Sequence, residues 1–178
     1  MAMTLITTNT SSDAATSDFT TGIDSTYKLY IFKFIDIHCD DNSVNFSFQA
    51  NATDTADYND IAMTTTNFAS LHLESGVSSY LSYRDDSDQA QGTAFQTVGN
   101  LIGNDADSCL VGTLWLFNPS STTYVKHFYS RMQYMESSGR SWESYVGGYF
   151  NTTTAIDDLR FKMSAGTFDG VISMYGVG

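Results

Sequence analysis

Residues 27–38 alternate in a way that defines the chain's character. Tyr27, Leu29, Ile31, Lys33, Ile35 and Ile37 share one parity, and Lys28, Tyr30, Phe32, Phe34, Asp36 and His38 share the other. Successive side chains of a strand face opposite sides of a sheet, so apolar groups on both parities predict a central strand covered on both faces. The Asp40-Asp41-Asn42-Ser43 cluster turns the chain. Val44, Phe46, Phe48 and Ala50 then alternate with Asn45, Ser47 and Gln49, the pattern of a half-buried strand. Together the two segments predict a hairpin.

The alternation continues downstream. After a polar loop over 51–60, residues 61–74 have β-rich composition with a Thr64-Thr65-Thr66 run. Residues 78–83 predict a short strand anchored by Tyr80 and Leu81, and 84–92 a charged loop. Residues 95–102 predict a strand with a bulge at Gly99. In 109–117, Leu110, Gly112, Leu114 and Leu116 oppose Val111, Trp115 and Phe117, and the lone proline, Pro119, stops the strand. Trp115, inside this apolar run, is expected in the core. In 123–135, Tyr124, Lys126, Phe128, Ser130, Met132 and Tyr134 oppose Val125, His127, Tyr129, Arg131, Gln133 and Met135. Further strands are expected over 141–150, broken by Gly147-Gly148, over 155–163 and over 168–177. No window sustains a helical period beyond about two turns. Closely spaced strands with turn signals between them predict a single-domain antiparallel β-sandwich, with a jelly roll as the expected topology.

Composition agrees. Hydrophobic residues are 42% of the 178 and charged residues 16%, against a usual charged share of about 25%. Disorder and coiled coil are both excluded by that balance. Asp outnumbers Glu 17 to 3, which favours turns over helices. The net charge of −12 argues against nucleic acid and anionic membrane as partners, since both are bound by basic surfaces. Residues 1–20 have neither a basic start nor an apolar stretch of leader type, and no segment is long and apolar enough to span a bilayer. Cytoplasmic synthesis without a signal peptide, and no membrane insertion, are the expectations. Residues 1–24, rich in Thr, Ser, Asn and Asp, read as an extended N-terminal arm or first strand, with the sandwich over 25–178.

Four segments add a resemblance. Tyr27-Lys28-Leu29-Tyr30-Ile31-Phe32-Lys33-Phe34 resembles a first long strand. Ser108-Cys109-Leu110-Val111-Gly112-Thr113-Leu114-Trp115-Leu116-Phe117-Asn118-Pro119 resembles a strand of the form small–Gly-Thr–aliphatic–x–aliphatic–x–Asn-Pro. Gly148-Tyr149-Phe150 with Ile156-Asp157-Asp158-Leu159-Arg160-Phe161 is similar to the strand that follows it. Phe168-Asp169-Gly170-Val171-Ile172-Ser173-Met174-Tyr175-Gly176 resembles the ending Phe-x-x-Gly-x-Ile-x-Leu-Tyr-Gly, with Met174 at the usual Leu. These motifs resemble those of β-sandwich virion proteins of tailed phages, especially marine phages: head decorations, fibres and tail appendages. The resemblance implies a non-enzymatic structural protein located in the virion. It would contact other capsid or tail proteins through its N-terminal arm and sheet edges, as a homo-oligomer, with a trimer in view. It carries no catalytic residue and no cofactor with it.

Residue chemistry supplies the alternatives. Asp85, Asp86 and Asp88 crowd one loop but lack the spacing of a calcium-binding loop. His38, His72 and His127 lie in separate strands, and no zinc pattern or nucleophile elbow is present. Glu74, Glu136 and Glu143 are the only glutamates, and none sits in an apolar run of the kind a glycosidase acid needs. No enzyme, metal or cofactor is expected. Cys39 and Cys109 read as thiols buried in separate strands. Trp142, Tyr145 and Tyr149, beside Gly and Ser, are the candidate glycan contacts of a carbohydrate-binding, host-receptor module. The acid-free stretch 110–135, holding Lys126, His127 and Arg131, is a candidate edge for an acidic partner.

Overall fold

The computed structural model describes residues 2–52 and 57–178, and its secondary structure there is entirely β. In chain order the strands are β1 (Met3–Ala14), β2 (Thr16–Phe19), β3 (Leu29–Cys39), β4 (Val44–Ala52), β5 (Met63–Leu73), β6 (Ser79–Tyr83), β7 (Ala90–Gly92), β8 (Gln96–Ile102), β9 (Leu110–Phe117), β10 (Lys126–Glu136), β11 (Arg140–Phe150), β12 (Ile156–Met163) and β13 (Phe168–Val177). All pairings are antiparallel. One layer runs β1-β13-β3-β9-β10 and continues through β11 and β5 to β6 and β7. The other runs β8-β4-β12-β2, joined to the first by one bridge, Glu136 with Ile102. The result is an antiparallel β-sandwich curled almost into a barrel and compatible with a jelly roll.

Aromatic residues weld the layers. Phe34 of β3 meets Phe46 of β4 at 5.7 Å and Phe161 of β12 at 5.1 Å, both edge to face. Phe48 of β4 meets Phe128 of β10 at 5.1 Å in the same manner. Each such pair contributes about 0.5–1.5 kcal/mol beyond its buried area.

The predicted hairpin of β3 and β4 does not form. β3 pairs with β13 and β9, and β4 with β12 and β8. The polar turn between them carries the chain from one layer to the other. Both strands have an apolar face, and burying those faces against each other is worth more than a two-stranded ribbon. β3 is central by its pairing but covered on one face only, with Leu29, Ile31 and Lys33 half-buried on the other, and its parity changes at a bulge where Asp36 has φ of 50°. Tyr30, Phe32 and Phe34 point inward before it, Ile37 and Cys39 after it, and Ile35 is left exposed.

β4 is buried on both faces, not one: Ser47, Gln49 and Asn51 are as enclosed as Phe46 and Phe48. Burial of Gln49 is made tolerable by hydrogen bonds from its Nε2 to the carbonyls of Thr93 at 3.0 Å and Ile61 at 3.3 Å. β6 is a rim strand beside β5: Leu81 is exposed, and Tyr80, about half exposed, sets its ring edge to face on Trp142 at 6.3 Å. The bulge expected at Gly99 is present, as a register slip of β8 against Phe46 and Ser47 of β4. β11 runs unbroken through Gly147-Gly148, paired to β10 and β5 along its length.

Residues 1–24 supply two strands. β1 pairs with β13 and β2 with β12. Phe19 and Ile23 enter the main core at 2% and 3% exposure, so this segment is part of the folded body as well as its edge.

Candidate functional site

The outer surface of β9, β10, β11 and β5 is paved with aromatic rings. Strict alternation places it there. On β10, Phe128, Ser130, Met132 and Tyr134 are buried, while His127, Tyr129, Arg131 and Gln133 face out. Lys126 shares the inner parity, and its buried Nζ donates to the Thr152 carbonyl at 3.1 Å. On β9 the leucines point in, and Val111, Thr113, Trp115 and Phe117 are half-buried on the outer side. On β11, Trp142, Ser144 and Val146 point in; Glu143, Tyr145, Gly147 and Tyr149 lie on the outer parity. On β5, Thr64, Thr66 and Phe68 complete it.

Cross-strand register then sets the ring contacts. Trp115 pairs with Tyr129 and their rings stack at 4.6 Å and 27°. Phe117 lies 5.5 Å from the same Tyr129 ring. Tyr145 pairs with Phe68, stacked at 4.8 Å and 7°. His127 pairs with Tyr149, ring centres 5.8 Å apart. Arg131 lies over Tyr145 at 5.6 Å and is bound by Glu143, its neighbour on β11. Beside this pair is an open depression of about 410 Å³ lined by Val111, Thr113, Trp115, Arg131, Gln133 and Glu143. Tyr129 and Phe68 remain about half exposed. An exposed apolar surface of this kind, interleaved with hydrogen-bonding groups, is suited to binding.

The three aromatic residues singled out from the sequence do not form one row. Tyr145 and Tyr149 belong to the outer face. Trp142 points inward, 6% exposed, parallel to Tyr134 at 6.4 Å with the Arg84 guanidinium 4.8 Å above its ring. Beside it lies a cavity of about 10 Å³, room for one water and not for a sugar. Trp115, expected in the core, is on the outer face. Phe68, Phe117 and Tyr129 were not singled out either, although the parities of 109–117 and 123–135 already separated Phe117 and Tyr129 from the leucine and methionine side.

Other candidates dissolve into structure. The acid-free stretch loses its basic character, because Lys126 is buried and Arg131 is neutralised by Glu143. In the acidic loop, Asp86 binds Arg84 at 2.7 Å and Asp88 accepts from the Tyr83 hydroxyl. Arg84 is the main cause holding the Asp86 carboxyl below its ordinary value. Glu136 accepts from Ser138 Oγ at 2.6 Å and pairs with Arg140. His38 Nδ1 lies 2.6 Å from the Ser108 carbonyl, while His72 and His127 are exposed on other strands. Among the described residues no group of three or more His, Cys, Asp and Glu is placed to hold a metal. Both thiols are free; Cys39 is buried, which pushes it up to about 11, and Cys109 is half-buried just before β9. A thiol held so far from its thiolate is a poor nucleophile.

No protein-family model, curated protein or solved structure matches the chain.

Proposed function

We propose that the protein is a non-enzymatic structural component of a tailed-phage virion, on the head or in a fibre or tail appendage, joined to its neighbours through the edge of β1. The motifs around Gly112-Thr113, Leu159 and Tyr175-Gly176 support the virion role. The edge itself carries the assembly role. β1 is twelve residues long and has one strand partner, β13, among the described residues. Natural edge strands of this length are guarded by Lys, by Pro or by bulges. β1 has two bulges but neither Lys nor Pro, and it exposes Met3 and Leu5. Asn9 ties its middle to β2, donating to the Asp18 carbonyl at 2.9 Å. Residues 3–8 stay open to a strand from another chain, which would add main-chain hydrogen bonds without any new pocket.

Light scattering at micromolar concentration tests this. The wild-type chain is expected to be an oligomer, a trimer being the closed form a fibre or decoration favours. Thr4→Lys with Thr10→Lys, both at exposed positions, is expected to give monomers of unchanged melting temperature. A wild-type monomer, or an oligomer indifferent to both lysines, refutes the edge.

A further inference from the structure

Two adjacent glycines in β11 have opposite surroundings. At Gly148 a Cβ would lie 2.6 Å from the Thr64 carbonyl oxygen and 2.6 Å from Thr65 Cγ2, so the close approach of β5 demands glycine. At Gly147 a Cβ would meet nothing nearer than Thr66 Oγ1 and Tyr129 Cβ, both at 4.0 Å, and the backbone is not left-handed. Neither packing nor conformation calls for glycine there. A glycine inside a paired strand weakens it and often marks a bulge, a bend or a place where a ligand or another backbone approaches closely; the register of β11 has no bulge at Gly147 on either side.

Gly147 is the one gap in the aromatic surface around it. Its partners across the sheet are Tyr129 on β10 and Thr66 on β5, and its outward neighbours along β11 are Tyr145 and Tyr149. Side chains two strands apart are separated by about 10 Å, so Tyr129 and Thr66 frame a slot one ring wide. Trp115 covers one face of Tyr129, which leaves the other turned toward the slot. Tyr145 is held upright by Phe68, and Tyr149 stands beside His127. On the far wall Thr66 Oγ1 donates to the Gly147 carbonyl at 3.4 Å and keeps its lone pairs for a ligand, and at the rim the Tyr149 hydroxyl, which accepts from Gln91 Nε2 at 3.5 Å, keeps its proton to donate.

The geometry points to Gly147 as the floor of a binding slot for one ring of a neutral saccharide, stacked on Tyr129 and hydrogen-bonded at its rim. The occupant follows from the chemistry of the walls. A pyranose presents C–H groups on its faces and hydroxyls around its edge, matching an aromatic wall within a polar rim. The one ion pair beside the slot, Arg131 with Glu143, is already satisfied, and a chain of net charge −12 repels acidic glycans. The site is independent of the β1 edge, so either can fail without the other.

The test is affinity electrophoresis of the full chain through gels containing galactomannan, xyloglucan, mannan or alginate, each against a blank gel. The wild-type protein is expected to be retarded by at least one of the three neutral polymers and not by alginate. Gly147→Val, which fills the slot and suits a strand, is expected to run as in the blank gel with unchanged near-ultraviolet circular dichroism. Should that variant fail to fold, Tyr129→Ala at its exposed position decides, with at least a tenfold loss of affinity expected. Absence of retardation by every neutral polymer, retardation by alginate alone, or equal retardation of wild type and variant overturns the assignment. So does a Gly147→Val effect on molar mass alone, since the slot would then hold a second copy of the chain.

Discussion

Tyr134→Phe has an effect on stability that should change sign with pH. Tyr134 sits on the inner face of β10, 2% exposed and parallel to Trp142. Burial pushes its phenol up to about 12; the Asn100 backbone hydrogen bond and Arg84 oppose that shift, while Glu136 and Asp86 add to it. The unfolded phenol titrates near 10, so between the two values the native state holds a proton the unfolded state has lost. Stability therefore falls as pH rises through this window. At about pH 11.5 the loss is roughly 1.5 units, or about 2 kcal/mol at 1.36 kcal/mol per unit. At about pH 8 the window is not entered, and the variant lacks one hydrogen bond, a deficit of about 1 kcal/mol. The difference should move by about 2 kcal/mol in the variant's favour, from that deficit to a similar advantage. Urea unfolding of both proteins at the two pH values, followed by tryptophan fluorescence, measures it. Cys39, raised by burial from 9.0 to about 11, and Tyr58, raised by burial and by Asp158 from 10.0 to about 12, act alike in both proteins. They should start alkaline unfolding above pH 9 without altering the difference. A gap that stays constant with pH refutes the reasoning.

Two further outcomes follow from packing. Trp142→Ala should cost about 3–5 kcal/mol in denaturant unfolding, because the side chain fills the space between Tyr134 and Arg84; full stability would show that the ring is not a core element. Gly148→Ala should cost about 1–3 kcal/mol through overpacking against β5, read as a lower melting temperature, and an unchanged melting point would mean that β5 yields freely.

Much of the sheet was legible because strand parity is a local property. The separation of Tyr129 and Arg131 from Phe128 and Met132 on β10 is visible in the chain, as is the opposition of Trp115 to Leu114. The direction of each set was not. The apolar run around Trp115 predicts an interior tryptophan, yet alternation gives it no freedom to follow the leucines. The polar neighbours of Trp142 predict a surface residue, but Ser144 and Val146 on its parity are buried. Gly147 and Gly148 together suggested a break, and only their contacts separate a steric requirement from an open slot.

By itself the sequence determined the all-β class, the positions of most strands, the turns built on Asp, Asn and Gly, and the acidic surface. Those depend on side-chain period and turn chemistry, which act over a few residues. Tertiary structure alone decided that β3 and β4 face each other across the core instead of pairing, that β1 and β2 close the sheet, and that the outer aromatic surface runs over β9, β10, β11 and β5. These rest on contacts between residues far apart in the chain, where the gain from burying one apolar face on another selects among pairings that local preference leaves nearly equal.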